Sequence, residues 1–114
     1  MTKLITIRKA NGNWTVRAGG AVLGESANAL ELSEGQHDPV IYFPREDIAM
    51  AFLDQTDHST VCANKGAAAY FTIVTKSRTI PNAGWSYEAP SEDAARIKGY
   101  IAFATSELVA VERI

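Results

Sequence analysis

Closely spaced turn signals are the feature of this sequence that most restricts its fold. Asn11-Gly12 indicates a tight turn, because both residues tolerate positive φ. Gly19-Gly20 indicates a second turn eight residues later. Residues 4–8, 14–17 and 21–25, which flank these turns, are short and have strand composition. The chain is therefore predicted to begin as a meander of short antiparallel strands.

Strand patterns also cover much of the remaining chain. Residues 39–43 are predicted to be a buried strand that starts at a proline, a position where strands tolerate this residue. Residues 68–74 alternate between two faces, as strand residues do. Residues 29–32 fit either a fourth strand or one turn of helix. The last two predicted strands, 100–103 and 108–112, are expected to form a hairpin.

Two short helices are predicted, over residues 44–53 and 90–99. Pro44 suits the first position of a helix, because its missing N–H would have no intrahelical partner there. Ser91 is placed to cap the second helix at its N-terminus, and Gly99 to follow its C-terminus.

The overall pattern favours a mainly β domain. Residues 33–38 are predicted to be a polar loop, 54–58 to close the first helix, and 81–84 to interrupt a short strand at 79–80. The sum is roughly eight to ten strands and two helices without regular alternation. This argues against a parallel doubly wound sheet and for antiparallel sheets folded onto each other. At 114 residues, the chain is expected to be a single domain spanning 1–114.

Charge and hydropathy disfavour several classes of partner. The net charge is -2 and the lysines and arginines are dispersed, so no nucleic-acid partner is expected. No apolar run approaches the ~18–20 residues of a membrane span, so no membrane partner is expected either. Residues 1–9 resemble a strand rather than a signal peptide, and the single cysteine fits a reducing compartment. A cytoplasmic location is expected by default.

Residues 58–71 hold the only cysteine and one of the two histidines. Cys62 could be a nucleophile with His58 as its base. On an extended segment, however, the two residues would lie ~13 Å apart at ~3.3 Å per residue, and only a bend would bring them together. The favoured interpretation is that Cys62 is a buried small hydrophobic residue.

Two cationic residues are candidates for anion binding. Lys65-Gly66 could form a turn that binds a phosphate or carboxylate, or could simply place an exposed lysine in a β-turn. Arg45 could clamp an anion with two hydrogen bonds. The alternative for Arg45, slightly favoured, is internal pairing with Glu46 or Asp47.

Aromatic residues could form the wall of a ligand site. Trp85 and Tyr87 share one face of a strand, and Tyr70 could lie opposite them. Core packing is the alternative, favoured for Trp85 and left open for Tyr87. His37, in an acidic loop, is expected to be solvated. Metal binding is poorly supported, because no CxxC or HxH is present, and no cofactor is expected.

Four motifs in series resemble the DUF427 family of small bacterial and fungal proteins. They are Tyr-Phe-Pro-Arg-Glu-Asp-Ile at 42–48, Cys62-x-x-Lys65-Gly66-x-Ala68-x-Tyr70, Ala-Gly-Trp-Ser-Tyr at 83–87 and Gly-Tyr-Ile-Ala-Phe at 99–103. The sequence departs from the family pattern at Ala63 and Asn64, where the family usually has proline and an aromatic residue.

The resemblance implies a compact β-tent, or Mss4-like, fold in which two antiparallel sheets splay apart and leave a cleft. Several β-tent relatives hold structural zinc through paired CxxC motifs, which this chain lacks. A nucleotidyltransferase label is sometimes attached to the family. The Gly-Ser turn and spaced carboxylates of that chemistry are not found in this sequence.

Three hypotheses for function follow. The first is a domain, enzymatic or not, that binds a small anionic or polar ligand in a cleft near residues 62–70. Its candidate ligand-binding residues are Arg45, His58, Cys62, Lys65, Tyr70, Trp85 and Tyr87. The second is a non-catalytic interaction module or homodimer that pairs through open edge strands at 4–8 or 108–112. The third is a metal-dependent transferase of the nucleotidyltransferase type.

Overall fold

The computed structural model describes residues 4–114, so residues 1–3 of the predicted N-terminal strand pattern lie outside the described residues. The described chain is mainly β. Its strands are β1 (Ile5–Lys9), β2 (Trp14–Ala18), β3 (Ala21–Ser26), β4 (Leu30–Glu34), β5 (Val40–Tyr42), β6 (Leu53–Cys62), β7 (Gly66–Val74), β8 (Thr79–Tyr87), β9 (Ala102–Phe103) and β10 (Val109–Arg113). The helical segments within residues 4–114 are all 3₁₀, at Arg45–Asp47, Met50–Phe52 and Glu92–Ile97.

The strands form three antiparallel sheets, ordered β1-β4-β5, β10-β2-β3 and β6-β7-β8-β9. The predicted hairpin of β2 and β3 across Gly19-Gly20 is confirmed. The predicted meander is wrong at its first step, because the chain crosses to another sheet at Asn11-Gly12 and β1 pairs with β4. Most of residues 29–32, for which strand and helical turn were both open, lie in β4.

The predicted C-terminal hairpin is also wrong. β9 pairs with β8, whereas β10 pairs with β2 at the other end of the chain. Phe103 and Val109 are both buried in one hydrophobic cluster, but they reach it from different sheets. The two strands therefore contribute to one core from different sheets instead of pairing.

The helix predicted over residues 44–53 is replaced by two 3₁₀ turns. Ile48 between them is extended, with φ −109° and ψ 136°. It forms an isolated antiparallel bridge with Gly24, and the Ala49 N–H donates to the Leu23 carbonyl at 2.8 Å. Backbone pairing with β3 thus prevents a continuous helix. β6 then begins at Leu53, so residues 54–58 belong to a strand and do not close a helix.

The helix predicted over residues 90–99 is a 3₁₀ segment with a kink at Ala94. Ser91 precedes it but makes no side-chain capping bond, because its hydroxyl donates to the Asn64 carbonyl at 2.7 Å. Gly99 has the positive φ, 77°, expected of a residue that ends a helix. Through the hydrogen bond of Ser91 to Asn64, the start of this segment is connected to the turn that contains Lys65.

β8 runs without interruption through Pro81, contrary to the predicted break. A bulge absorbs the irregularity, since the pairing with β7 shifts between Ile73↔Ile80 and Phe71↔Gly84. Asn82 in this bulge has φ 50°, a left-handed conformation that asparagine tolerates better than most residues.

Two hydrophobic clusters hold the sheets together. The first contains Phe43, Phe71 and Phe103 and packs the β10-β2-β3 sheet against the four-stranded sheet. The second packs β4 and β5 against β8 and the third 3₁₀ segment. A reciprocal pair of backbone hydrogen bonds, 2.8 and 2.9 Å long, joins Phe43 to Ile101 and links β5 to the neighbourhood of β9.

Within residues 4–114, no helix has both the length and the apolar character needed to cross a membrane.

Candidate functional site

A cleft opens where β4 and β5 face β7 and β8. Its cavity measures about 320 Å³, within the range of ligand sites. The lining residues are Leu32, Glu34, His37, Asp38, Val40, Tyr42, Lys65, Tyr70, Asn82, Trp85, Tyr87 and Ala104. The cleft therefore combines four large aromatic side chains with a small set of charged ones.

The alternation of β4 carries Glu34 into this cleft. Leu30 and Leu32 are buried, and Glu34 follows them at period 2 on the same face. The two leucines belong to the second hydrophobic cluster, so their burial fixes where the carboxylate lies.

A tight turn between β6 and β7 places Lys65 opposite Glu34. The Lys65 N–H donates to the Cys62 carbonyl at 3.2 Å and closes the turn. Gly66 follows with φ 112°, and a Cβ there would lie 3.3 Å from the Ala89 carbonyl oxygen. Both facts favour glycine at this position.

Glu34 is the centre of the polar contacts in the cleft. Its Oε1 accepts a hydrogen bond from Lys65 Nζ, and its Oε2 accepts one from Asn64 Nδ2 at 3.0 Å. Cys62 Sγ lies 4.0 Å from the same Oε2. The side chains of Lys65 and Glu34 are only 12% and 15% exposed. The cleft thus contains a largely buried, mutually neutralising ion pair.

The pair shifts the pKa of both partners in the stabilising direction. The hydrogen bond from Lys65 lowers the pKa of Glu34, with burial opposing and Asn64 assisting. Burial, the largest single cause, acts to lower the pKa of Lys65, but the hydrogen bond to Glu34 and the nearby negative charges together outweigh it, so the pKa lies above its ordinary value. Both groups are therefore ionised at neutral pH.

Aromatic side chains enclose the ion pair. Lys65 Nζ lies 5.8 Å from the centre of the Tyr87 ring, a cation–π distance. Trp85 Nε1 donates to the Tyr42 hydroxyl at 3.2 Å, and the Tyr70 and Trp85 rings lie 6.5 Å apart. Burial raises the pKa of Tyr42 and of Tyr87, so both keep their hydroxyl protons at neutral pH.

The observed burial of Trp85 and Tyr87, the two aromatic residues of β8, differs from the expected burial. Tyr87 is 6% exposed and belongs to the core, whereas Trp85 is only partly buried and presents surface to the cleft. The core alternative therefore describes Tyr87 better than Trp85. Both residues line the cavity.

Arg45 lies on the opposite face of the four-stranded sheet. Between Trp85 and Tyr87, the intervening Ser86 accepts a hydrogen bond from Arg45 Nη2 at 3.1 Å. The same guanidinium pairs with Glu88 at 2.7 Å. The cleft does not include Arg45, and its internal pairing is with Glu88 rather than with either acid beside it.

His58 and Cys62 are not brought together as a catalytic pair. Both lie on β6, which is extended. The exposed His58 ring lies 4.5 Å from the Tyr70 ring, outside the cavity lining, whereas the Cys62 thiol is directed to Glu34. Among the side-chain hydrogen bonds of the described chain, none connects His58 with Cys62.

Sequence reasoning missed Glu34, Asp38, Tyr42 and Asn82. The period-2 run of Leu30, Leu32 and Glu34 was the signal that would have placed the carboxylate inside. Asn64, in the turn before Lys65, supplies a further hydrogen bond to Glu34. His37 is exposed, as expected of a solvated residue, and also lines the cleft.

The part of the chain that the structure describes contains no group of three or more His, Cys, Asp or Glu residues arranged to hold a metal ion.

Comparison with known families gives one result. A family model described as a domain of unknown function, DUF427, matches residues 6–113, nearly the whole chain. No curated protein matches the sequence.

Proposed function

The chain belongs to the DUF427 family, and on that premise we propose that it is a ligand-binding domain whose cleft, between β4–β5 and β7–β8, takes a small polar ligand. The Glu34–Lys65 pair carries this proposal. It is a charged, hydrogen-bonded pair enclosed by aromatic rings in an accessible cavity of about 320 Å³. An apolar cavity with a few converging polar groups of perturbed pKa is the usual form of a small-molecule site.

The charges of the cleft favour an uncharged or zwitterionic polar ligand over a strong anion. Lys65 is already neutralised by Glu34, and Arg45 lies on the other sheet face. Asp38, which also lines the cavity, adds negative charge. A ligand with both a donor and an acceptor would match Glu34 and Lys65 without leaving either charge unpaired.

A thermal-shift screen tests this proposal, with neutral polar, zwitterionic, anionic and cationic metabolites compared in parallel. A ligand at 100 times its Kd adds about 2.7 kcal/mol of stability, which is readily detected in a domain of this size. We expect neutral or zwitterionic compounds to raise Tm. Lys65→Met and Glu34→Gln should each abolish the shift, whereas Lys76→Met, at an exposed lysine in a turn, should retain it.

Two outcomes would contradict the proposal. One is a ligand-induced shift that survives both Lys65→Met and Trp85→Leu, since the ligand would then bind elsewhere. The other is stabilisation by anions alone, which would mean that the Glu34 charge does not govern the cleft.

Homodimerisation through edge strands is a second candidate. β1 and β10 are edge strands of their three-stranded sheets, and Leu4 and Leu108, which precede them, are exposed. Unpaired edges of this kind can pair with a second copy. Sedimentation velocity over a concentration series tests it: a mass that rises to twice 12.3 kDa supports a dimer, and a constant monomer mass rejects it.

A further inference from the structure

A second cavity lies next to the cleft, where all three sheets meet. It measures about 480 Å³. Its lining residues are Trp14, Glu31, Asp38, Pro39, Val40, Ile41, Trp85, Phe103, Ala104, Thr105 and Val111. The two cavities share Asp38, Val40, Trp85 and Ala104, so Trp85 contributes to both.

The tryptophans that line this cavity have no free hydrogen-bond donors. Trp14 Nε1 donates to the Asn11 carbonyl at 3.1 Å, and Trp85 Nε1 donates to the Tyr42 hydroxyl at 3.2 Å. Phe103 completes the aromatic set. With both indole N–H groups occupied inside the protein, the two tryptophans have no free donor for a ligand, and the faces of such rings are negatively polarised.

The charged residues that line this cavity are both acidic. They are Glu31 and Asp38, and the lining contains no lysine, arginine or histidine from the described chain. Glu31 pairs with Arg8, whose side chain is 65% exposed. Asp38 is exposed and takes part in none of the ion pairs found within residues 4–114. The cavity is therefore aromatic and lined by acidic residues alone among its charged groups, whereas the neighbouring cleft also contains Lys65.

We propose that this second cavity binds an organic cation, a small ammonium compound whose charged group lies against the faces of Trp14 and Trp85 near Asp38. Aromatic faces combined with a carboxylate are the environment in which quaternary ammonium groups are recognised. The proposal does not depend on the neighbouring cleft having a ligand, because Lys65 and Glu34 take no part in it.

Choline and 3,3-dimethyl-1-butanol provide a matched pair of probes. They have the same branched shape, and only choline carries a charge. Isothermal titration or ¹H–¹⁵N NMR titration should show choline binding at least about fivefold more tightly than the neutral alcohol. NMR shifts should map to residues around Trp14 and Phe103.

Variants separate this site from the cleft. Trp14→Leu and Asp38→Asn should each weaken choline binding by at least about threefold. Trp14→Phe keeps an aromatic face, so it should weaken choline binding less than Trp14→Leu does. Lys65→Met, at a residue outside this lining, should not weaken choline binding. Glu107→Gln, a charge removal at an exposed residue outside this lining, serves as the control.

Equal binding of the two probes, no binding of choline, or full retention of choline affinity in Asp38→Asn would overturn the proposal. Because Asp38 is exposed, Asp38→Asn tests the site even if Trp14→Leu does not fold.

Discussion

Substitutions that remove one charge of the Glu34–Lys65 pair at a time should show how much this pair contributes to the stability of the domain. Lys65→Met keeps most of the side-chain length but leaves the Glu34 carboxylate without its cationic partner. Glu34→Gln leaves the ammonium without its anion. The double variant removes both charges together, so the three proteins and the parent chain form a double-mutant cycle.

The expected magnitude follows from how far the pair is buried. Surface ion pairs contribute ~0–1 kcal/mol, and separating a fully buried pair costs about 3–5 kcal/mol. With side chains 12% and 15% exposed, this pair lies nearer the buried limit. In Lys65→Met, the Asn64 hydrogen bond still serves Glu34, so we expect a loss of about 2–3 kcal/mol. The double variant should lose less than the sum of the single variants, by about 1–2 kcal/mol.

Urea unfolding at neutral pH, followed by tryptophan fluorescence, measures the four free energies of unfolding. A parallel cycle on Arg8 and Glu31 provides the control, because that pair joins β1 to β4 with an arginine 65% exposed and should couple by less than about 1 kcal/mol. A Glu34–Lys65 coupling energy no larger than that of Arg8–Glu31 would refute the view that Glu34 and Lys65 interact as a buried ion pair.

The same pair determines a dependence of stability on pH. Because the pKa of Glu34 is lowered in the folded state, its contribution is present above the unfolded value of about 4.3 and is lost as pH falls through the folded pKa. Because the pKa of Lys65 is raised, its contribution is present below about 10.4 and is lost as pH rises through the folded pKa. The stability difference between the parent chain and Glu34→Gln should therefore be flat at neutral pH and shrink in acid.

Three further substitutions test other parts of the fold. Gly24→Ala should lower the free energy of unfolding by about 1–3 kcal/mol, since a Cβ there would lie 2.5 Å from the Asp47 carbonyl oxygen; urea unfolding measures it. Arg45→Gln should cost about 1–2 kcal/mol in the same assay and leave ligand affinity in the cleft unchanged. Tyr42→Phe removes the acceptor of the Trp85 N–H and should cost about 1 kcal/mol, with a shift in tryptophan emission as an independent readout.

Each of these substitutions has a control or a contrary result. Gly84→Ala is matched to Gly24→Ala, because its nearest neighbours would lie at an ordinary 3.5 Å; equal losses would contradict the close-approach argument. A tenfold loss of ligand affinity in Arg45→Gln would mean that Arg45 contributes to ligand binding in the cleft. An unchanged emission spectrum in Tyr42→Phe would mean that the Trp85 N–H has no specific partner there.

Local patterns predicted the strands well and their partners less well. The β2–β3 hairpin is encoded by a turn and two adjacent segments, so sequence suffices to find it. The partners of β1 and β10 are instead set by which sheet can bury their apolar side chains, a property of the assembled core. The helix predicted at 44–53 failed for a related reason, because backbone pairing of Ile48 with Gly24 overrides local helical preference.

The candidate site shows the same division between local and long-range information. Lys65, Tyr70, Trp85 and Tyr87 were selected from one strand–turn–strand region and the strand after it, and all four line the cleft. The partner that determines what Lys65 can do, Glu34, comes from a strand 31 residues earlier in the chain. No pattern near Lys65 identifies that partner.

The position of Glu34 in turn depends on the hydrophobic core. Leu30 and Leu32 share its face of β4, so a one-residue shift in the pairing with β1 would expose both leucines and turn the carboxylate out of the cleft. The buried leucines therefore fix the register, the register places Glu34, and Glu34 neutralises Lys65. It follows that the charge of the cleft, on which the proposed choice of a polar over an anionic ligand rests, is determined by core packing as much as by the residues that line the site.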